Sequence, residues 1–226
     1  MRIENTNGCP AGERRFTPAV WGAVMFTAAY LGLAVPRALV TGNTEFVIYI
    51  VVVVVLVAVI GGVHLKVGLT AGVLWAMSFW GLAHMAGGLV SVPTDWPTQG
   101  DYRVLYSLWL IPDTLTGGRF ALKYDQVVHA YGFGVTTWLC WQGLRAALRA
   151  RCQAGAPAAE PRPTFGLLVL CAAAGMGFGG LNEVVEFAAT LVTETNVGGY
   201  ENTGWDLVSN AVGAAVAACL IRRHGK

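Results

Sequence analysis

The chain has 226 residues, of which 55% are hydrophobic and only 12% are charged, and its formal net charge is +2. A soluble domain usually carries about 25% charged residues, so the composition excludes an ordinary soluble protein and indicates a polytopic membrane protein. The small net charge gives no reason to expect a nucleic-acid partner. Residues 1–16 are polar and the first apolar run is long enough to span, so we expect no cleavable signal peptide.

Six apolar segments follow in chain order, each near the roughly 20 residues that a spanning helix needs. Only helices and closed barrels satisfy the backbone inside a bilayer, and the Val-rich second segment is too uniformly apolar for a barrel strand. The sequence therefore predicts an all-α membrane helix bundle, with one membrane domain at 18–222 between a cytoplasmic segment at 1–17 and a cytoplasmic tail at 223–226. The six predicted transmembrane helices cover residues 18–40, 46–65, 69–91, 124–144, 165–190 and 204–222.

Lysine and arginine predict the orientation of this bundle, because the cytoplasmic loops of membrane proteins are enriched in them. With the N-terminus inside, eleven of the fifteen basic residues fall in cytoplasmic segments and four in outer segments. Both termini are therefore expected in the cytoplasm. The five cysteines fall on the cytoplasmic side or in the inner halves of helices, so no disulfide framework is expected.

Two connections between the predicted helices are long. Residues 92–123 form an outer loop, which we expect to cap the outer face, because loops of this length are uncommon unless they are functional or disordered. Within it, the apolar stretch 104–112 is too short to span, and its Tyr and Trp residues favour the membrane interface. Residues 145–164 are basic and rich in Ala and Pro, which is typical of a cytoplasmic linker.

Four of the predicted helices carry polar side chains near the outer leaflet, although a carboxylate in a bilayer core costs at least about 2.5–3.5 kcal/mol. Most of these side chains are three or four residues apart and so share a helix face, and the glycines at 175–180 would let the helices approach closely. We expect these faces to converge on one outward-facing intramembrane site. Its predicted members are His84, Asp125, His129, Asn182, Glu183, Glu186, Asp206 and Asn210.

The carboxylates of this site need a compensating charge, which either a bound cation or shared protons would supply. Two histidines with several carboxylates suit Zn, Mn or Fe, and the two asparagines would support such a site. Lys123 and Arg119 are the only basic residues expected nearby. The predicted metal ligands are His84, Asp125, His129, Glu183, Glu186 and Asp206.

Three members of the site also allow a purely structural interpretation, in which Asp206 and Asn210 cap or tie helices and Asn182 joins two of them. Asn182 could hydrogen-bond to a neighbouring helix and hold the bundle together. The stretch "TGWD" also resembles a helix start, in which Thr203 or Asp206 would be the capping residue.

At these same residues the chain resembles a known family. The stretches "LYSLWLIP", "KYDQVVHAYGFGVTTWLCWQ", "GFGGLNEVVEF" and "GWDLVSNAVGA" are similar to the uncharacterised bacterial membrane proteins typified by YjdF and, more distantly, to the VanZ-like proteins. The resemblance covers about residues 80–222 and implies a bacterial inner-membrane protein. Gln126 stands where the VanZ-like proteins usually have Lys. By position, the family's polar residues fall on His84, Asp125, His129, Glu183, Glu186, Asp206 and Asn210.

Three functions are compatible with such a site, and the sequence leaves open whether the protein is an enzyme. The first is a metal-dependent hydrolase or transferase for a lipid-linked substrate, with a metal-activated water, Glu183 or Glu186 as general base, and His129 orienting or donating a proton. The second is a non-catalytic accessory or assembly subunit of a larger membrane complex. The third is a cation- or proton-coupled transporter, which is less favoured because no inverted repeat is evident.

Overall fold

The computed structural model describes residues 16–101, 103–118, 121–152, 161–195 and 198–224, and a long helix occupies each of the six predicted apolar segments. One further helix is short, and two strands pair in the connection between the third and fifth helices. In chain order the elements are α1 (Pro18–Val40), α2 (Thr44–Val67), α3 (Ala71–Leu89), β1 (Trp109–Ile111), α4 (Asp113–Thr116), β2 (Leu122–Lys123), α5 (Tyr124–Cys152), α6 (Phe165–Thr190) and α7 (Tyr200–His224).

Polar capping residues set the starts of four long helices, as the sequence would suggest. The side chains of Thr17, Asn43, Thr70 and Thr164 each accept a hydrogen bond from a backbone N–H in the first turn of α1, α2, α3 and α6. Gly68 ends α2 in the left-handed conformation with φ of 75°, which glycine adopts without a steric cost. The predicted bounds of α1 and α6 match the structure.

Helix α5 is longer than predicted. It continues from the expected end at residue 144 to Cys152, because the Ala-, Leu- and Arg-rich start of the predicted linker consists of strong helix formers. The predicted linker at 145–164 therefore begins as helix, and its central part, 153–160, lies outside the described residues.

Four of the described helices, α1, α2, α6 and α7, are long and apolar enough to cross a membrane by length and composition. The chain is therefore a mostly helical membrane protein, as predicted, although six spans are not established by this criterion. Helix α2 shows the lipid-facing character most clearly, because Val51, Val54, Val55, Val57 and Val59 are all exposed. A surface of this kind suits a bilayer, where apolar side chains need no partner.

Glycines bring α5, α6 and α7 into close contact. The backbone of Gly213 in α7 lies against the carbonyl of Ala130 in α5, so a β-carbon there would overlap it. In α6, Gly175 lies against Thr137 of α5 in the same way. Small residues at helix crossings allow this approach and strengthen packing in membranes. The polar faces of the three helices are consequently held together at short range.

Helices α1, α2 and α3 form the other half of the bundle. The indole Nε1 of Trp75 in α3 donates to the backbone oxygen of Ala19 in α1 over 2.9 Å, and the hydroxyls of Thr27 and Ser78 hydrogen-bond to each other between the same helices. An apolar cluster including Phe46 joins α2 to them. This half supplies a rigid wall beside the polar faces of α5–α7.

The described residues of the predicted outer loop fold into a cap over one end of the bundle; we use "cap" for residues 90–101, 103–118 and 121–123. Strands β1 and β2 pair antiparallel, and isolated bridges join Ser91 to Val104 and Thr98 to Leu108. The guanidinium of Arg103 donates to the backbone oxygens of the cap and to the hydroxyl of Thr98. The stretch 104–112, which is predicted to lie in the interface, contains a 3₁₀ turn followed by β1.

The glycine contact between α5 and α7 gives a stability prediction. Replacing Gly213 by Ala should lower the stability of the purified protein by about 1–3 kcal/mol, because the added methyl group must push the two helices apart. The matched control is Gly204→Ala in the same helix, where a β-carbon would meet no atom within 4 Å. Thermal unfolding in mild detergent measures both variants, and equal midpoints would contradict the assigned contact.

Candidate functional site

His129 lies at the centre of the polar site, in the second turn of α5, and is buried. Its Nδ1 atom is 3.1 Å from Oδ1 of Asn210 and 3.6 Å from Oε1 of Glu183. Its Nε2 atom is 3.6 Å from Oδ1 of Asp125 and 3.9 Å from Oε1 of Glu186. One imidazole ring therefore faces polar groups from α5, α6 and α7.

Helix α7 contributes Asp206 and Asn210, which are one turn apart and both 0% exposed. Asn202, one turn earlier, donates from Nδ2 to Oδ2 of Asp206 over 2.6 Å and to Oδ2 of Asp125 over 3.5 Å. Oδ1 of Asp206 and Nδ2 of Asn210 have no hydrogen-bond partner in the described part of the chain. The alternative that Asp206 caps a helix is wrong, because α7 already begins at Tyr200.

Helix α6 contributes Glu183 and Glu186, whose side chains are 10% and 14% exposed. Asn182 donates from Nδ2 to Oε1 of Glu186 over 2.6 Å, so this hydrogen bond lies within one helix and does not join two helices. Neither carboxylate oxygen of Glu183 is in hydrogen-bonding geometry with a described partner. The neighbouring Val184 and Phe187 are exposed, which shows that α6 turns its acidic face inward.

A buried lysine supplies positive charge at the edge of the site. Lys123, at the end of β2, is 5% exposed, and its Nζ is 3.9 Å from Oδ2 of Asp125. The same Nζ donates to Oε1 of Gln99 over 2.9 Å and to Oδ1 of Asn202. Arg119, the other basic residue expected nearby, lies outside the described residues. This one described ammonium faces a site with four carboxylates, so it offsets only part of their charge.

His84 lies in a different environment from the other predicted metal ligands. Its Nδ1 atom hydrogen-bonds to the hydroxyl of Tyr106 in the cap. Its ring lies beside those of Phe46 and Tyr49, with centroid distances of 6.1 and 5.7 Å. Two groups of described side chains could hold a metal ion, and His84 belongs to neither of them. The structure thus places it next to the carboxylates, in an aromatic wall formed by α2, α3 and the cap.

Among the described residues, two groups of three side chains have donor atoms close enough to hold one ion, and His129 belongs to both. In the first, donor atoms of His129, Asp125 and Asp206 all lie within 4.8 Å of one another; in the second, the same is true of His129, Glu183 and Glu186. Imidazole nitrogen with carboxylate oxygen is a donor set that Zn, Mn and Fe accept. Chemically, the arrangement can hold a divalent cation or can distribute protons among the carboxylates.

The site opens on a cavity of about 530 Å³ between the start of α2, the cap and the last turn of α6. Asp125 and Glu186 belong both to the metal-ligand groups and to the wall of this cavity. A ligand in the cavity would therefore reach the polar cluster directly.

Sequence reasoning missed three residues of the site. Asn202 left a usable signal, because it precedes Asp206 by four residues and so shares its helix face. Gln99 and Tyr106 left none, since they belong to the cap, whose short irregular elements have no periodicity to read.

The fold and the site together define an integral membrane protein of helical bundle type, in which a cluster of carboxylates, amides and one histidine is buried at the capped end. The chain belongs to the family described as "Predicted membrane protein (DUF2238)", whose profile matches residues 19–226. No curated protein and no solved structure matches the chain.

The position of Lys123 gives a second stability prediction. Lys123→Met should destabilise the protein by about 1–3 kcal/mol, because it removes the buried ammonium that donates to Gln99 and Asn202 and leaves Asp125 without its nearest positive charge. Lys66→Met, at an exposed position, should change stability by less than about 0.5 kcal/mol. Thermal unfolding in detergent compares the two, and a Lys123→Met variant as stable as the control would show that the ammonium is dispensable.

Proposed function

We propose that this protein binds one divalent metal ion, Zn, Mn or Fe, between α5, α6 and α7, and uses it in hydrolysis or group transfer on an amphipathic, lipid-linked substrate. The observation that carries the proposal is the environment of His129. Oδ1 of Asn210 can only accept a hydrogen bond, so a proton on Nδ1 is expected. The lone pair on Nε2 then faces carboxylate oxygens of Asp125 and Glu186 at 3.6 and 3.9 Å.

In a neutral ring, a lone pair that faces two carboxylates is unfavourable unless a positive charge lies among them, and a second ring proton or a metal ion would supply that charge. A metal ion on Nε2 would supply that charge, with Asp125 and Asp206 of the first ligand group as its oxygen ligands and with Oε1 of Glu186 only 3.9 Å from Nε2. The hydrogen bond from Nδ1 to Asn210 would orient the ring, which is the usual arrangement behind a metal-bound histidine. The single buried ammonium of Lys123 supports the same conclusion, because it leaves most of the carboxylate charge unbalanced.

Glu183 is the best candidate for the general base. Its side chain is only 10% exposed, its Oε1 atom is 3.6 Å from Nδ1 of His129, and it shares a ligand group with His129 and Glu186. A metal ion held by these residues would supply a water that is acidic near neutral pH, and the carboxylate of Glu183 would be the group to accept its proton. Glu186, which already accepts from Asn182, is better suited to binding the ion.

We also propose that all six long helices span the membrane with both termini in the cytoplasm, so that the cap and the site lie at the outer leaflet of a bacterial inner membrane. The excess of Lys and Arg in the segments at the opposite end supports this orientation. Helices α3 and α5 would span despite their polar residues, because those residues face the site. The resemblance to YjdF-type and VanZ-like proteins supports the same placement.

Metal analysis tests the first part of the proposal. Protein purified without chelators should contain about one equivalent of Zn, Mn or Fe by elemental analysis. Asp206→Asn and His129→Ala should each lower this content at least about tenfold, because each removes a buried ligand. Asp113→Asn, an exposed position in α4, makes the same change of side chain outside the site and should keep the ion. A metal-free wild-type protein would exclude the metal mechanism and favour shared protons.

Glu183→Gln separates catalysis from a structural role of the same residues. If Glu183 is the base, this variant should keep its metal and its thermal midpoint, but its rate of lipid hydrolysis should fall at least about 100-fold. Mass spectrometry of lipids from bilayer vesicles measures that rate. Unfolding of both Glu183→Gln and His129→Ala would instead favour the accessory-subunit function, in which the cluster only locks the helices together. Ion flux into proteoliposomes that stops in Glu186→Gln would favour transport.

A further inference from the structure

The cavity beside the proposed metal site has the size of a small-ligand site. Its volume of about 530 Å³ lies within the roughly 300–1,000 Å³ usual for ligand pockets. Its wall is formed by the connection between α1 and α2, the first turns of α2, the cap, and the polar ends of α5–α7. It therefore connects the surface at the capped end with the buried carboxylates.

The described wall of this cavity is acidic. It includes the carboxylates of Glu45, Asp125, Glu186 and Glu194, and no lysine or arginine is among the lining residues that the structure describes. Glu45 is buried at the start of α2, whereas Glu194 is exposed at the rim. Lys123 is not among the lining residues, although its Nζ is 3.9 Å from Oδ2 of Asp125. An anionic group in the middle of this cavity would be repelled, and a cationic group would be attracted.

Aromatic rings form the other part of the wall. Phe46, Tyr49 and Tyr106 line the cavity, with ring centroids 5.4 Å apart for Phe46 and Tyr49 and 6.2 Å apart for Phe46 and Tyr106. Tyr49 is 5% exposed, and its ring centroid is 5.7 Å from that of His84, which also lines the cavity. Rings beside carboxylates are the surroundings that proteins use to bind organic ammonium groups, through cation–π attraction together with charge.

We infer that the cavity binds an organic ammonium group, primary or quaternary, and that the substrate of the proposed metal site carries that group. The inference deepens the proposed function, because it names the chemical class of the substrate at the same site. The cavity wall shares Asp125 and Glu186 with the metal-ligand groups. An ammonium near Glu45 and the rings would leave the remainder of the molecule directed at the metal.

Two sources of such a group have the same chemistry, a lipid headgroup and a free soluble amine. To test the soluble source, isothermal titration calorimetry in a non-ionic detergent measures the affinity of the purified protein for choline and for ethanolamine. To test the lipid source, the protein is placed in nanodiscs of phosphatidylglycerol with or without phosphatidylethanolamine. The amount of each lipid that stays bound after exchange into detergent is then measured. Saturable binding in either arm supports the inference and identifies the source; no binding in both arms overturns it.

Substitution at Glu45 assigns the binding to the cavity. Glu45→Gln should weaken ammonium binding at least about tenfold, because it removes a buried charge that the ligand would pair with. Glu194→Gln, at the exposed rim, should weaken it by about twofold to threefold. The matched control is Glu201→Gln, an exposed acidic residue at the start of α7 outside the cavity wall, which should bind as the wild type does.

Metal content measured on the same samples keeps the two proposals apart. Glu45 belongs to neither ligand group, so Glu45→Gln with full metal content and weakened ammonium binding supports the inference. Equal ammonium affinity in Glu45→Gln and Glu201→Gln overturns it and leaves the metal proposal intact. If the wild-type protein binds the ammonium compound but contains no metal, the metal mechanism is overturned. The ammonium compound is then not the substrate of that mechanism, but the cavity remains its binding site.

Discussion

The burial of four carboxylates around one imidazole is the constraint on which the rest of the structure depends. An unpaired charge is costly to bury in a membrane protein, so such residues face the interior and find partners. Here Asp125, Glu183, Glu186 and Asp206 all lie within one small volume, and the ammonium of Lys123 offsets only part of their charge. The amide groups of the neighbouring asparagines satisfy some of the carboxylate oxygens. The proposed cation would complete the balance.

The packing of the bundle follows from the same constraint. Three helices with polar faces can share one site only if their backbones approach closely, and the glycine contacts of α5 with α6 and α7 permit that approach. The cap then closes the open end, and its Lys123 and Gln99 complete the hydrogen bonds of the site. Helix α2, by contrast, exposes a valine-rich face and contributes to the cavity only through its first turns.

Most of the helical architecture could be predicted, because apolar runs of spanning length and capping residues are local signals. The helices α1 and α6 begin and end where the sequence indicated, while α5 is longer because its end consists of residues that extend helices as readily as they form basic linkers. The sequence predicted the cap only as a loop. It did not predict strands β1 and β2, because they are too short to show alternation and are stabilised by pairing with each other.

The sequence alone predicted most of the polar side chains that meet at the capped end, because each polar residue in an apolar helix is conspicuous and the spacing of three or four residues gives its face. It also determined that the chain is a helical membrane protein, since composition and run length are enough for that. Only the tertiary structure decided how these faces meet: that His129 is central, that His84 belongs to an aromatic wall and to neither ligand group, and that Lys123 and Asn202 are part of the site. The physical reason is that contacts between residues as distant as 129 and 210 depend on helix rotation and crossing. Those are set by glycine packing and by the fold of the cap, and no local periodicity encodes them.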